Sequence, residues 1–203
     1  MKKLIAIFFI VVFALTACKK EKDDTIKKDD ISTNFPFIKE GNAWHYALIN
    51  SDSSVAGGPD ALNYKILSVG NNGYIQVEEE VLSFMVTTYW YSDKNGFSDD
   101  SLKLILLKVN PVLNDTWSLT NNGETITRKV VALNDSVQLY DKTYINNCVK
   151  VHETNPELPQ GFRDLWVSKD DGIVQIKGKG YYSIDNGSLV YFDCTYVLMS
   201  KSF

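Results

Sequence analysis

The chain is poor in the residues that carry most enzyme chemistry. It holds two histidines and three cysteines in 203 residues. Neither His45 nor His152 lies among cysteines at zinc-ligand spacing, and there is no Gly-x-Ser-x-Gly turn, so common zinc sites and the serine-hydrolase elbow are excluded. Basic residues are outnumbered, 21 Lys and Arg against 25 Asp and Glu. Without a basic stripe to neutralise phosphates, nucleic acid is not an expected partner. Beyond residue 17 no run reaches eighteen apolar residues, so no later helix is expected to span a membrane. No stretch of ten or more residues has the apolar spacing of an amphipathic helix. With these absences the expectation is a non-enzymatic protein without metal or cofactor.

Aromatic residues make up 12% of the chain, and strand-like alternation recurs throughout. Trp44, Tyr46 and Leu48 alternate with His45 and Ala47, which predicts a strand over 43–49. Further strands are expected over 62–69, 73–80, 82–91, 116–119, 125–133, 136–140, 143–153, 162–168, 172–177, 181–184 and 189–199. Residues 102–109, where Leu102, Leu104 and Leu106 alternate with Lys103, Ile105 and Leu107, read as one more strand, with a short helix as the alternative. Asn-Gly or Asp-Gly pairs beginning at 72, 95, 122, 171 and 186 mark hairpin turns. Loops are expected over 50–61 and 155–161. Together these predict an all-β fold, an antiparallel meander forming a curved sheet, half-barrel or sandwich.

The two halves of that meander share a pattern. Trp90 to Phe97 can be laid on Trp166 to Ile173, with Trp, Ser and Gly coinciding, and Ile75 to Glu78 on Val149 to His152. Both tryptophans are then expected on the same side of their strands. Three charged stretches invite chemistry and are read more plainly. Glu78-Glu79-Glu80 alternates its carboxylates between faces, so a glycosidase pair is not supported. Asp93-Lys94-Asn95-Gly96 with Asp99-Asp100 lacks the full calcium-loop spacing and reads as a turn. His152-Glu153 beside Lys150 reads as a charged strand face.

The N-terminus carries the most specific signal. Lys2 and Lys3 precede an uncharged run from Leu4 to Ala17, which as a helix would rise about 21 Å. That falls short of a hydrocarbon core of about 30 Å, so a signal peptide is the better reading. Leu15-Thr16-Ala17-Cys18 resembles the lipobox of bacterial lipoproteins. The resemblance implies cleavage before Cys18, acyl chains on its sulfur and amine, and handling by the lipoprotein-processing and export machinery. Residues 1–17 are then the signal peptide, 18–34 the lipidated cysteine and a disordered charged tether, and 35–203 a single β-rich domain. The Lys and acid cluster after Cys18 also resembles the surface-export signal of Bacteroidota lipoproteins, which implies outer-membrane location and outward display.

With Cys18 lipidated, Cys148 and Cys194 remain. Their even number in an oxidising compartment favours a disulfide, while alternation puts the two side chains on opposite faces. The stretches Tyr144 to Glu153, Asp164-Leu165-Trp166-Val167, Gly172-Ile173-Val174 and Thr195 to Leu198 resemble uncharacterised Bacteroidota envelope lipoproteins, as does the opening Phe35-Pro36-Phe37. That family implies a β-sheet envelope domain and brings no activity. Two binding roles follow. The first is a carrier whose Trp44, Trp90, Trp117 and Trp166 line a cavity for a small apolar ligand. The alternative is a surface recognition or assembly module that presents exposed aromatics to a glycan or a protein.

Overall fold

The computed structural model describes residues 33–49, 61–81, 84–99, 103–121, 123–156, 161–183 and 189–203. The expected signal peptide, Cys18, residues 19–32 of the tether, the loop 50–60 and the turn at 186–187 lie outside the described residues. Two antiparallel meanders follow one another. The first comprises β1 (Ala43–Ile49), β2 (Leu62–Val69), β3 (Tyr74–Val81), β4 (Phe84–Ser92), β5 (Gly96–Ser98) and β6 (Leu107–Lys108). The second comprises β7 (Thr116–Asn121), β8 (Glu124–Gln138), β9 (Tyr144–Thr154), β10 (Phe162–Ser168), β11 (Gly172–Ser183) and β12 (Leu189–Ser202). The last strand returns to pair with the first, from Ala43↔Ser202 to Ile49↔Thr195. One twelve-stranded sheet results, ordered β6-β5-β4-β3-β2-β1-β12-β11-β10-β9-β8-β7. The fold is all-β, a curled sheet not closed into a barrel.

The curl follows from chain length. Strands sit about 4.8 Å apart, so a flat sheet of this size would hold its edges roughly 50 Å from each other. The link 109–115 between the edge strands β6 and β7 can reach at most about 29 Å. The sheet must therefore wrap, and its inner face becomes the core. Phe35 and Phe37, both fully buried, pack into that core. Phe37 meets Phe97 with ring centroids 5.2 Å apart and Trp44 at 5.9 Å. Trp90 continues the cluster to Phe97 at 5.3 Å and to Tyr64 at 5.2 Å.

Each strand of the first meander has a counterpart six strands later, so the halves correspond in topology. Ile75 and Val77 are buried, as are Val149 and Val151. The tryptophans do not correspond. Trp90 pairs with Ile75, whereas Val149 pairs with Val167. The aligned Trp166 is one residue short, and one residue in a strand reverses the face. Trp90 points inward, while Trp166 shares the outer face with Lys150, 4.5 Å below its ammonium. This corrects the expectation of a common side.

Four further differences have local causes. First, the stretch expected as a strand over 102–109 is strand only at Leu107–Lys108. Lys103 takes a left-handed backbone (φ 63°). The Leu104 carbonyl accepts from Ser98 Oγ at 2.7 Å and from Arg128 Nη1, and the Ile105 carbonyl from Trp117 Nε1. Side chains satisfy these two carbonyls, the Leu106 amide donates to the Phe97 carbonyl of β5, and Leu104, Leu106 and Leu107 are buried. Second, 125–133 and 136–140 fuse into β8, whose bulges between Val130 and Val137 bend it without ending it. Third, 172–177 and 181–184 fuse into β11. Fourth, Cys148 and Cys194 are both free and buried, not disulfide-bonded. Cys194 lies on the inner face with Tyr196, and Cys148 on the other face beneath the bent β8–β9 hairpin. Burial, with Asp171 and Asp135 nearby, pushes the Cys148 thiol up to about 12.

Candidate functional site

The inner face carries a pocket of about 220 Å³ near the strand ends at Leu62 and Val81. Alternation brings its lining together. Leu62 and Tyr64 come from β2, Glu79 and Val81 from β3, Ile176 and Gly178 from β11, and Cys194 and Tyr196 from β12. The room exists because the row Arg163, Gly178 and Cys194 crosses three paired strands with little side chain in its centre. A Cβ on Gly178 would come into contact with the Arg163 Cβ at 3.4 Å, so the glycine leaves that space to the pocket.

Beneath the pocket wall lies a buried ion network. Arg163 donates from Nε to Glu153 Oε1 at 2.9 Å and from Nη2 to Asp99 Oδ2 at 3.0 Å. Arg128 reaches the same two carboxylates, from Nε to Glu153 Oε2 at 2.6 Å and from Nη2 to Asp99 Oδ1 at 2.8 Å. Arg128 and Glu153 are each 1% exposed. Burial opposes the charge on Asp99, yet Arg128 and Arg163 outweigh it and hold its carboxyl below the usual range. Two cations thus face two carboxylates.

Glu79 is different. It is half-buried on the same face, and among the described residues its carboxyl accepts no hydrogen bond and pairs with no cation at salt-bridge distance. Burial and the nearby Asp99 push its pKa up, only partly offset by Arg163. The Tyr64 and Tyr196 phenols are raised by burial as well, so both remain protonated donors. Lys179 also borders the pocket, with its ammonium on Asp193.

None of the four tryptophans lines this pocket. Trp44 and Trp90 are buried in the aromatic core, and Trp44 Nε1 donates to the Asp171 carbonyl at 2.6 Å. Trp117 binds the Ile105 carbonyl across the open seam, and Trp166 donates to Asp135 Oδ2 at 2.7 Å on the outer face. Lys150 and His152 do form a charged outer face, both on Asp164 (3.0 and 2.7 Å), whereas Glu153 turns inward. The turn at Asp93 is closed by its own carboxylate, which accepts from the Asn95 and Gly96 amides at 2.7 and 3.1 Å.

The network was missed by the sequence reading, although a signal existed. The chain has nineteen lysines and only two arginines, Arg128 and Arg163. Each stands two residues from an inward apolar residue, Val130 and Leu165. Guanidinium is the cation suited to paired, buried carboxylates, so two arginines in a lysine-rich chain mark a built site.

Two larger concavities lie on the outer face. One of about 440 Å³, between the β8–β9 hairpin tip and β11–β12, is lined by Gln138, Lys142, Gln175, Lys177, Asp193 and neighbours. The other, of about 340 Å³, contains a hydrogen-bonded chain from His45 through Asn63 to Glu80. Both are dominated by polar side chains. Of these three concavities, the inner pocket is the one that combines apolar walls with a few convergent polar groups, the composition of a small-molecule site.

No protein-family model matches the chain, and no curated protein matches it. Among solved structures it is similar to the crystal structure of "a putative lipoprotein from Parabacteroides distasonis". Identity is 13%, the match covers 83% of this chain and 98% of that one, and the TM-score is 0.45. A likeness of that degree says nothing of what the pocket holds.

Proposed function

We propose that this is a lipid-anchored envelope protein whose β domain binds a small ligand without catalysis. The anchor rests on Leu15-Thr16-Ala17-Cys18 at the end of an uncharged run, and the mixed Lys and acid cluster behind it supports an outer-membrane address. Two or three acyl chains on Cys18 make release negligible, since each buried methylene contributes about 0.8 kcal/mol. The ligand reading is carried by one observation, the inner pocket with Leu62, Val81 and Ile176 on its walls. Its volume of about 220 Å³ narrows the carrier idea. Drug-sized ligands occupy roughly 300 Å³ or more, so the occupant is a compact molecule and not a long-chain lipid. Val81→Trp should fill the mouth and abolish ligand-induced shifts at Leu62 and Ile176 in methyl NMR. Unchanged shifts would place binding elsewhere.

The alternative role, surface recognition, has its own support in β4. β5 pairs with β4 only at Tyr91 and Ser92. Among the described residues, the stretch from Phe84 to Trp90 therefore has β3 on one side and no strand on the other. Phe84 is 79% exposed and Met85 68%. An uncharged open edge of this kind accepts an extended peptide as a further strand. Under this reading a Val/Thr-rich peptide should slow hydrogen exchange at the amides of 84–90, and unaltered exchange would exclude the edge.

A further inference from the structure

We propose that the inner pocket selects a small organic ammonium ion, about one ring in size, with its cationic head on Glu79. The inference rests on the pocket being a ligand site and goes further by fixing the ligand's charge. Every cation that borders the pocket already has a carboxylate. Arg163 is held by Glu153 and Asp99 at 2.9 and 3.0 Å, and Lys179 by Asp193. Glu79 is the acid left over, facing the cavity from β3 beside Tyr64 of β2. A ligand carboxylate would find Arg163 already bridged to Asp99 and Glu153 and would sit against Glu79. A ligand cation meets no such competition.

The rest of the lining agrees. Tyr64 and Tyr196 place aromatic rings at the cavity, and aromatic faces attract cations. Leu62, Val81 and Ile176 supply the apolar wall for the ligand's body. The volume of about 220 Å³ exceeds the roughly 150 Å³ that holds benzene, and stays under the roughly 300 Å³ of drug-sized pockets. Glu79 is kept high by burial and by Asp99. A bound cation would counter both, so Glu79 ionises more readily as the amine enters. The other titratable groups at the pocket are Tyr64, Arg163, Lys179, Cys194 and Tyr196, with Asp99 behind Arg163. Asp99 raises Glu79 and Arg163 lowers it, and Glu79 in turn raises the Tyr64 and Tyr196 phenols.

Three probes of one shape decide the matter: phenethylamine, 2-phenylethanol and 3-phenylpropanoate, titrated into the full chain in non-ionic detergent at low salt and followed by calorimetry. The expected result is binding of the amine at least tenfold tighter than the alcohol, with no binding of the acid. In Glu79→Gln, amine and alcohol should become equal. Binding of the alcohol as tight as the amine, or any binding of the acid, would overturn the ammonium inference and leave the pocket reading standing. If no probe binds, the pocket reading fails and the inference with it. Retention of amine preference in Glu79→Gln would also overturn it, because Glu79 would not be the recognising group.

Discussion

The curled sheet brings its strands round to two seams, and the two are closed differently. Between β1 and β12 the seam is a backbone ladder running from Ala43↔Ser202 to Ile49↔Thr195. Between β6 and β7, the equivalent place in the other half, the described residues form no ladder. There the edges are held by side chains: Arg128 on Asp99 and on the Leu104 carbonyl, Arg163 on Asp99, and Trp117 on the Ile105 carbonyl. Lys108 and Asp115 add a half-exposed pair at 3.0 Å. A ladder repeats itself and tolerates many sequences, because its hydrogen bonds belong to the backbone. A side-chain seam depends on a few residues, so single substitutions should separate the two.

The largest effect is expected at Arg128→Met. The substitution keeps bulk but leaves Asp99 and Glu153 sharing Arg163 alone. Removing one partner from a buried charge network costs about 3–5 kcal/mol, because uncompensated charge remains inside. Equilibrium urea unfolding measures the loss. Hydrogen exchange should show it concentrated at 103–108, with the β1–β12 amides still protected. Equal loss of protection at both seams would mean that they do not act separately.

Gly96→Ala comes next and tests by shape how β5 packs on the segment 103–108 that forms one side of that seam. A Cβ there would lie 2.5 Å from Ile105 Cγ2 and 2.5 Å from the Leu107 carbonyl oxygen. Backbone cannot yield as a flexible side chain can, so β5 and β6 must move apart. Overpacking of this kind costs about 1–3 kcal/mol, read as a lower urea midpoint. The ladder seam has a smaller dependence on any one group. Tyr46 Oη donates to the Ile173 carbonyl at 2.6 Å, tying β1 across β12 to β11. Tyr46→Phe should cost about 1 kcal/mol, the net value of one such bond. A loss as large as that of Arg128→Met would reverse the ranking of the seams.

These seams also explain what could be read in advance. Alternation and Asn-Gly or Asp-Gly pairs located most strands and the hairpin turns at 72–73, 95–96 and 171–172, since both signals are local. The three-residue β5 carries too few positions for a period to show. The run 103–107 misled because its leucines are buried through tertiary contacts, with Lys103 in a left-handed conformation that no alternation reveals. The pocket was not legible at all. It depends on which strands become neighbours, and Gly178 opposite Arg163 has no meaning until β10 and β11 pair. The tryptophans drew attention as the bulkiest rings, yet Trp90 is core, and the indole N–H groups of Trp44, Trp117 and Trp166 are spent on Asp171, Ile105 and Asp135. The arginine pair was the overlooked clue, visible as a departure from the lysine-rich composition.

The smallest expected effect sets the satisfied carboxylates against the unsatisfied one. Asp99 is held below its ordinary pKa, so its contribution is fully present above about pH 4, the unfolded value, and is lost as pH falls through the lower folded value. Glu79 is shifted the other way. Ionising it costs more in the folded chain than in the unfolded one, so the folded state loses stability as pH rises from about 4 through the raised folded value. Glu79→Gln removes that cost. The variant should match the parent below about pH 4 and exceed it at pH 7 by less than about 1 kcal/mol, because solvent screens a group this exposed. Urea midpoints at pH 3.5 and pH 7 test the sign. A variant less stable at pH 7 would show that Glu79 has a partner in the fold. A gain would show a carboxylate kept on the inner face against the interest of stability, as expected of a group that serves a ligand.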